Sequence, residues 1–256
     1  MAIKSKKVGP RLFKEFILPS GGYKYGGKIP GGKIKIHSFN FDVEQILAGE
    51  GDGLLKMSQV TPLIADLPEG LTVGDLLSAD QYYMVLASRA MSFGDEYGFS
   101  TTCTACGKKE RHMFILPDGM PVVRFKEDFK EPFVFELPNC KDSVAIRFLT
   151  VNDDLSINQY AKQREANISD PGDPGYKFRL AKHIVSVNGT VPDNIDDAIN
   201  YVSSLDGKDP LVFRSTIEEN QPGVVSLLTI ICPKDDCREK YEVPFRMTSE
   251  FFRPKC

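Results

Sequence analysis

Two short cysteine-bearing stretches constrain this chain more than anything else in it: Cys103-Thr104-Ala105-Cys106-Gly107 and, far downstream, Cys232-Pro233-Lys234-Asp235-Asp236-Cys237. Two cysteines separated by two to four residues let the backbone turn so that both sulfurs point at one spot, and two such turns supply the tetrahedral thiolates of a structural Zn²⁺ site. The first turn lies between Tyr97-Gly98-Phe99 and residues 112–116, the second between residues 224–231 and 241–245. Each reads as the tip of a strand-turn-strand. The expectation is a split zinc ribbon in which Cys103, Cys106, Cys232 and Cys237 bind one structural Zn²⁺, with roughly half the chain looped out between them. The second turn is the less regular: its spacing is longer, and Arg238 stands where a glycine often follows the last ligand.

Disulfides are the competing use of such cysteines. They belong to short, cysteine-dense secreted chains, whereas this one has six Cys in 256 residues and no apolar signal core at its start. Lys108, Lys109, Arg111, Lys234, Arg238 and Lys240 crowd the two turns, where they could offset the negative charge of four thiolates around a dication. Cys140 and Cys256 read as incidental free thiols.

With 41% hydrophobic and 26% charged residues, the composition is that of a folded globular chain. The net charge of -3 gives no global pull toward nucleic acid or anionic lipid. No apolar run approaches the roughly 20 residues that span a bilayer. The expected setting is a reducing cytosol.

Four regions are expected along the chain: an N-terminal arm and glycine-rich hairpin over 1–40, a helical region leading into the first knuckle over 41–117, an inserted α+β lobe over 118–222, and the second knuckle hairpin with the tail over 223–256. Within the first, residues 1–15 read as a basic arm, and the alternation of Ile34 and Ile36 with Lys33, Lys35 and His37 predicts a half-buried strand. The run from Gly27 to Ile34 has the glycine and lysine spacing of a phosphate loop, but Ile34 replaces the hydroxyl residue, Pro30 lacks an amide donor, and a strand follows instead of a helix. It is rejected as a nucleotide site.

Helices are predicted over 41–48, 54–66 and 73–92, the last capped by Thr72 or Asp75. Strands are predicted over 122–125, 133–137 and 144–148, forming a small antiparallel sheet, followed by a Thr150-capped helix to 165. Further helices are expected over 176–187, over 195–205 behind Asp193 or Asn194, and over 210–219 behind Asp209. The doubled Asp-Pro-Gly turns of residues 170–175 lack calcium-loop spacing. The fold class is therefore α+β, split ribbon hairpins with a large α+β insert and a helical N-terminal part.

No catalytic constellation emerges. His37, His112 and His183 are scattered, no Ser or Cys sits in a nucleophile signature, and four cysteines make a closed site with no open coordination position. The chain reads as a non-enzyme.

The order of Leu18-Pro19-Ser20 with its glycines, Ile34-Lys35-Ile36, Ser92-Phe93-Gly94-Asp95-Glu96-Tyr97 entering the first knuckle, Phe148-Leu149-Thr150, Leu180-Ala181-Lys182-His183-Ile184, residues 204–209, Cys232-Pro233 and Phe251-Phe252-Arg253-Pro254 resembles the T4-type bacteriophage baseplate family. The resemblance implies a structural protein of a contractile tail, in or near the central hub. Its implied partners are other hub proteins, the tape-measure end and the inner wedge, within a symmetric oligomer assembled in the host cytoplasm and carried in the virion tail. The basic arm and glycine-rich hairpin would be free to reach those partners. The competing class is a zinc-ribbon nucleic-acid binder or transcription accessory protein, which the acidic balance disfavours.

Overall fold

The computed structural model describes residues 11–126, 129–165, 173–245, 247 and 249–252, so residues 1–10 of the expected arm, residues 170–172 and Cys256 lie outside it. The chain is α+β. Strands β1 (Phe13–Ile17) and β2 (Lys33–His37) pair antiparallel, burying Phe16, Ile34 and Ile36 on one face. Helices α1 (Phe41–Ala48), α2 (Gly53–Ile64) and α3 (Ser78–Phe93) cover that face and close the first core. Asn40 caps α1 by accepting the Val43 amide, and Asp52 caps α2 by accepting those of Leu54 and Leu55. Residues 13–15, expected in the arm, are part of β1.

The glycine-rich segment does not project. Tyr25 and Ile29 are buried, and the chain turns so tightly that a Cβ on Gly22 would lie 2.2 Å from the Ile29 carbonyl oxygen. A buried carboxylate, Asp80 on α3, fastens it: Asp80 accepts from the Ser20 amide (3.0 Å), the Ser20 hydroxyl (2.5 Å) and the Tyr25 hydroxyl (2.6 Å). Burial pushes the Asp80 pKa up, and the hydrogen bonds from Ser20 and Tyr25 oppose that shift. The hairpin expected to reach partners is instead folded onto its own core.

The helix predicted over 73–92 starts later. Residues Val73–Asp75 form a 3₁₀ turn closed by Thr72 and Asp75, and Leu76-Leu77 run extended before α3 begins. The reason is tertiary: Leu77 bridges Thr150, the Val151 amide donates to Leu76, and the Ser78 amide donates to Leu149. Helix α2 likewise stops short of residue 66 because Ala65 pairs with Ile36.

After the ribbon hairpin β3 (Glu96–Thr102) and β4 (Lys109–Ile115), the short strand β5 (Val122–Val123) pairs with a later segment, leaving the expected small sheet. That sheet consists of β6 (Phe133–Glu136), β7 (Ser143–Ile146) and β8 (Ile184–Val187), with α4 (Val151–Glu165) and α5 (Pro174–His183) between the last two strands. Thus the helix expected over 176–187 ends at His183, where Ile184–Val187 takes up the unpaired edge of β7. Helices α6 (Ile195–Ser204) and α7 (Asp209–Asn220) pack on this sheet through Ala198, Val202, Phe213 and Ile217, forming a second core. Asn194 caps α6. Asp209 does not cap α7: it is the first helical residue, and its buried carboxylate accepts the amides of Asn139 and Cys140, holding the β6–β7 turn.

The chain returns through β9 (Gly223–Val224), which pairs with β5, to β10 (Leu227–Ile231) and β11 (Lys240–Pro244), the second ribbon hairpin, and ends in α8 (Ser249–Phe252). Buried Arg89 of α3 joins the ribbon base to that end: it donates to the Gly94 and Phe251 carbonyls and lies over the Tyr97 and Phe251 rings. Among the described residues no helix is long and apolar enough to cross a membrane.

Two buried polar groups yield measurable consequences. Asp80→Asn puts an amide donor against groups that already donate, so it should cost about 1–3 kcal/mol in urea unfolding. His183, whose Nδ1 lies 2.8 Å from the Arg147 carbonyl, is held neutral by burial, with its pKa pushed down to about 4. A folded pKa below the unfolded value of about 6.5 means that the unfolded chain takes up the proton first, so stability should fall as pH drops from about 6.5 to about 4. Thermal melts across that window should show a shallower pH dependence for His183→Gln than for the wild type.

Candidate metal centre

The ribbon is built from two hairpins that end in matching ways. In the first, the register pairs Thr102 with Lys109, the Cys103 amide donates to Lys108 (2.9 Å), and the Gly107 amide donates to Cys103 (3.0 Å). In the second, Ile231 pairs with Lys240, the Cys232 amide donates to Glu239 (2.8 Å), and the Arg238 amide donates to Lys234 (3.0 Å). The two extra residues are absorbed in a turn in which the Cys237 amide donates to Lys234. Gly107 has φ 70° and Arg238 has φ 48°, so the residue after each second cysteine is left-handed. Arg238 fills the glycine position without abolishing the turn, and its guanidinium pairs with Asp235.

Inward-facing residues press the hairpins together. Ile230 and Tyr241 pack with Cys103 and Cys232, flanked by Phe99 and Val243. The Thr101 and Tyr241 hydroxyls are 2.8 Å apart across the hairpins, and His112 Nε2 is 3.0 Å from the Thr101 hydroxyl. His112, one of the scattered histidines, thus supports the site from outside the sulfur cluster. Below, Leu86, Leu116, Met120, Leu228, Phe245 and Phe251 form the base.

At the tips, the sulfurs of Cys103, Cys106, Cys232 and Cys237 all lie within 4.8 Å of one another. The cross-hairpin separations are 3.8 Å for Cys103–Cys237 and 3.7 Å for Cys106–Cys232. Four sulfurs on a tetrahedron around an ion at about 2.3 Å are about 3.8 Å apart, so these two separations match a Zn²⁺ set and the four thiols could hold a metal ion. Among the described residues no disulfide joins them, and Cys140 sits in the β6–β7 turn, outside the cluster.

The electrostatics of the thiols are uneven. Amides of Cys106 and Ala105 aimed at Cys103 bring its pKa down to about 7. Cys237 is pushed up to about 12: the Glu239 amide favours its thiolate, but burial and the neighbouring sulfurs of Cys106, Cys103 and Cys232 outweigh it. Cys232 is also raised, burial and the same crowding overcoming the Lys234 amide. Four thiols this close cannot all ionise unless a cation shares their charge. Lys108 is held by Glu110 at 2.5 Å and is further drawn by the Cys232 and Cys106 sulfurs, which raises its pKa. The set is closed and offers neither an open ligand position nor a base beside a nucleophile.

The left-handed turns give a paired expectation. Arg238→Gly should leave metal affinity in a chelator competition intact and stability equal or higher by up to about 1 kcal/mol. Gly107→Val, a β-branched residue at φ 70°, should lower both.

The family model described as T4 bacteriophage base plate protein matches residues 22–253, nearly the whole chain. No curated protein and no solved structure matches it.

Proposed function

The chain belongs to the T4 bacteriophage base plate protein family and so to the virion tail, and we propose that it is a non-enzymatic subunit at or near the central hub, held in shape by one structural Zn²⁺ on Cys103, Cys106, Cys232 and Cys237. Base plate proteins act by contact with other tail proteins, and a rigid subunit is what such contacts require. The observation that carries the zinc reading is that four sulfurs from two separate two-stranded hairpins converge within 4.8 Å of one another. A lone two-stranded hairpin is marginally stable in water, so joining the tips supplies what neither hairpin has alone.

When bound, the ion would supply charge neutralisation and a fixed geometry, with no reactive position. The polypeptide supplies the rest: amides orient the sulfurs, Tyr241 and Ile230 exclude water, and Arg89 carries the ribbon's position to α3. The nucleic-acid alternative is weaker because Lys108 and Arg238 are turned onto Glu110 and Asp235 and Glu239 and Asp236 stand among the remaining cations.

Metal analysis of the purified protein should find about one zinc per chain. Chelation should raise amide hydrogen exchange over residues 96–115 and 227–244 while the core around Phe213 stays protected. A metal-free protein with an unchanged exchange map would overturn the clamp. For the hub, cross-linking of purified tails should join this chain to central proteins; links confined to the periphery would refute that position.

A further inference from the structure

The four sulfurs of the ribbon differ in reach. Cys232 and Cys103 are buried, at 0% and 2% exposure, whereas Cys106 is exposed and Cys237 half-buried. Each buried sulfur faces a reachable one from the opposite hairpin: Cys106 stands 3.7 Å from Cys232, and Cys237 stands 3.8 Å from Cys103. All four are free thiols, and the two hairpins share no strand pairing. The sulfurs of a disulfide are about 2.0 Å apart, so each pair has to close by about 1.7 Å, a movement that side-chain rotation at a turn supplies.

That arrangement suits exchange with a small disulfide. The surface thiol is the one a dissolved disulfide meets, and the buried thiol behind it is placed to resolve the mixed disulfide that forms. A base plate protein is carried in a virion, which leaves the reducing interior of the cell where thiols are kept reduced.

We propose that the four-cysteine cluster is also an oxidation site, at which a low-molecular-weight disulfide converts the thiols into two cross-hairpin bonds, Cys103–Cys237 and Cys106–Cys232, that staple the ribbon without metal. First the Cys106 sulfur attacks one sulfur of the small disulfide: a mixed disulfide forms, the original S–S bond breaks, and one small thiol leaves. Cys232 then attacks the Cys106 sulfur and expels the second small thiol. The cysteine pair gives two electrons to the small disulfide. The two protons on the released thiols come from the cysteines, or from water where the cysteines were zinc-bound thiolates, and loss of the thiolates frees the Zn²⁺. Cys237 and Cys103 repeat the exchange with a second small disulfide. The bonds join residues 126 and 134 positions apart, and a cross-link that closes a long loop constrains the unfolded chain most. The inference extends the clamp proposed above but needs only the meeting of the four sulfurs, so a chain that carries no zinc would leave it standing.

The test is incubation of the purified full chain with glutathione disulfide, with and without a chelator, followed by alkylation of the remaining thiols, intact mass and a non-reducing peptide map with fragmentation. The expected product has lost two hydrogens for each of two bonds, joining Cys103 to Cys237 and Cys106 to Cys232; glutathione on Cys140 or Cys256 is read separately in the map. In the presence of chelator, oxidation should bring amide exchange over residues 96–115 and 227–244 back to that of the untreated protein, and a reductant should raise it again. Cys232→Ser removes the resolving thiol, so glutathione should stay on Cys106. Bonds within one knuckle, any other pairing, four thiols that remain open to alkylation, or exchange that stays high in the oxidised, chelated wild type would overturn the proposal. Zinc found in the reduced chain alongside any of those results would leave the zinc reading intact.

Discussion

The two ribbon hairpins are brought together where four sulfurs meet at one point. The pairs Cys103–Cys237 and Cys106–Cys232 span 134 and 126 residues, so the cluster closes a loop of about half the chain. Loop-closure entropy grows only slowly with length, which is why an insert this large can be tolerated between two halves of one small site. The insert can sit there because it brings its own core, built on Phe213, Leu137 and Ile146. A cluster at the tips and an aromatic base at Phe245 and Phe251 then hold two hairpins that share no strand pairing.

Away from the ribbon, buried charged and polar groups locate the junctions. Asp80 pins the glycine-rich turn to α3, Arg89 ties α3 to the ribbon and α8, and Asp209 ties α7 to the β6–β7 turn. Arg147 grips Asp153 with both guanidinium nitrogens at 2.6 and 2.8 Å; burial works against the carboxylate, but that pairing and the Thr150 amide hold it well below the usual range. Asp80, Arg89 and Asp209 are satisfied from distant segments and Asp153 from within six residues, and it is such pairing that lets a buried charge be tolerated. These contacts spend charge on architecture, and the cluster of four thiols joins segments still farther apart in sequence.

Much of this was legible in the residues. The cysteine spacing gives the two knuckles, the alternation around Ile34 and Ile36 gives β2, and Thr150 and Asn194 mark helix starts through hydrogen bonds that involve only neighbouring residues. Local chemistry is readable because its partners are close in sequence. The segment 184–187 was expected to extend the helix, although Ile-Val-Ser-Val is rich in β-branched residues that favour a strand, and it pairs with the open edge of β7. Likewise Leu76-Leu77 leave the helix because residues 149–151 pair with them, and Asp209 looks like a cap until Asn139 and Cys140 bring their amides to it.

By itself, then, the sequence determined the α+β class, the two strand-turn-strand knuckles and the identity of the four sulfurs, because each follows from periodicity or from spacing within a few residues. Only the tertiary structure decided that the four sulfurs meet and that the glycine-rich hairpin folds inward onto Asp80. Those outcomes depend on contacts across tens to more than a hundred residues, and their energies arise only once both partners are in place.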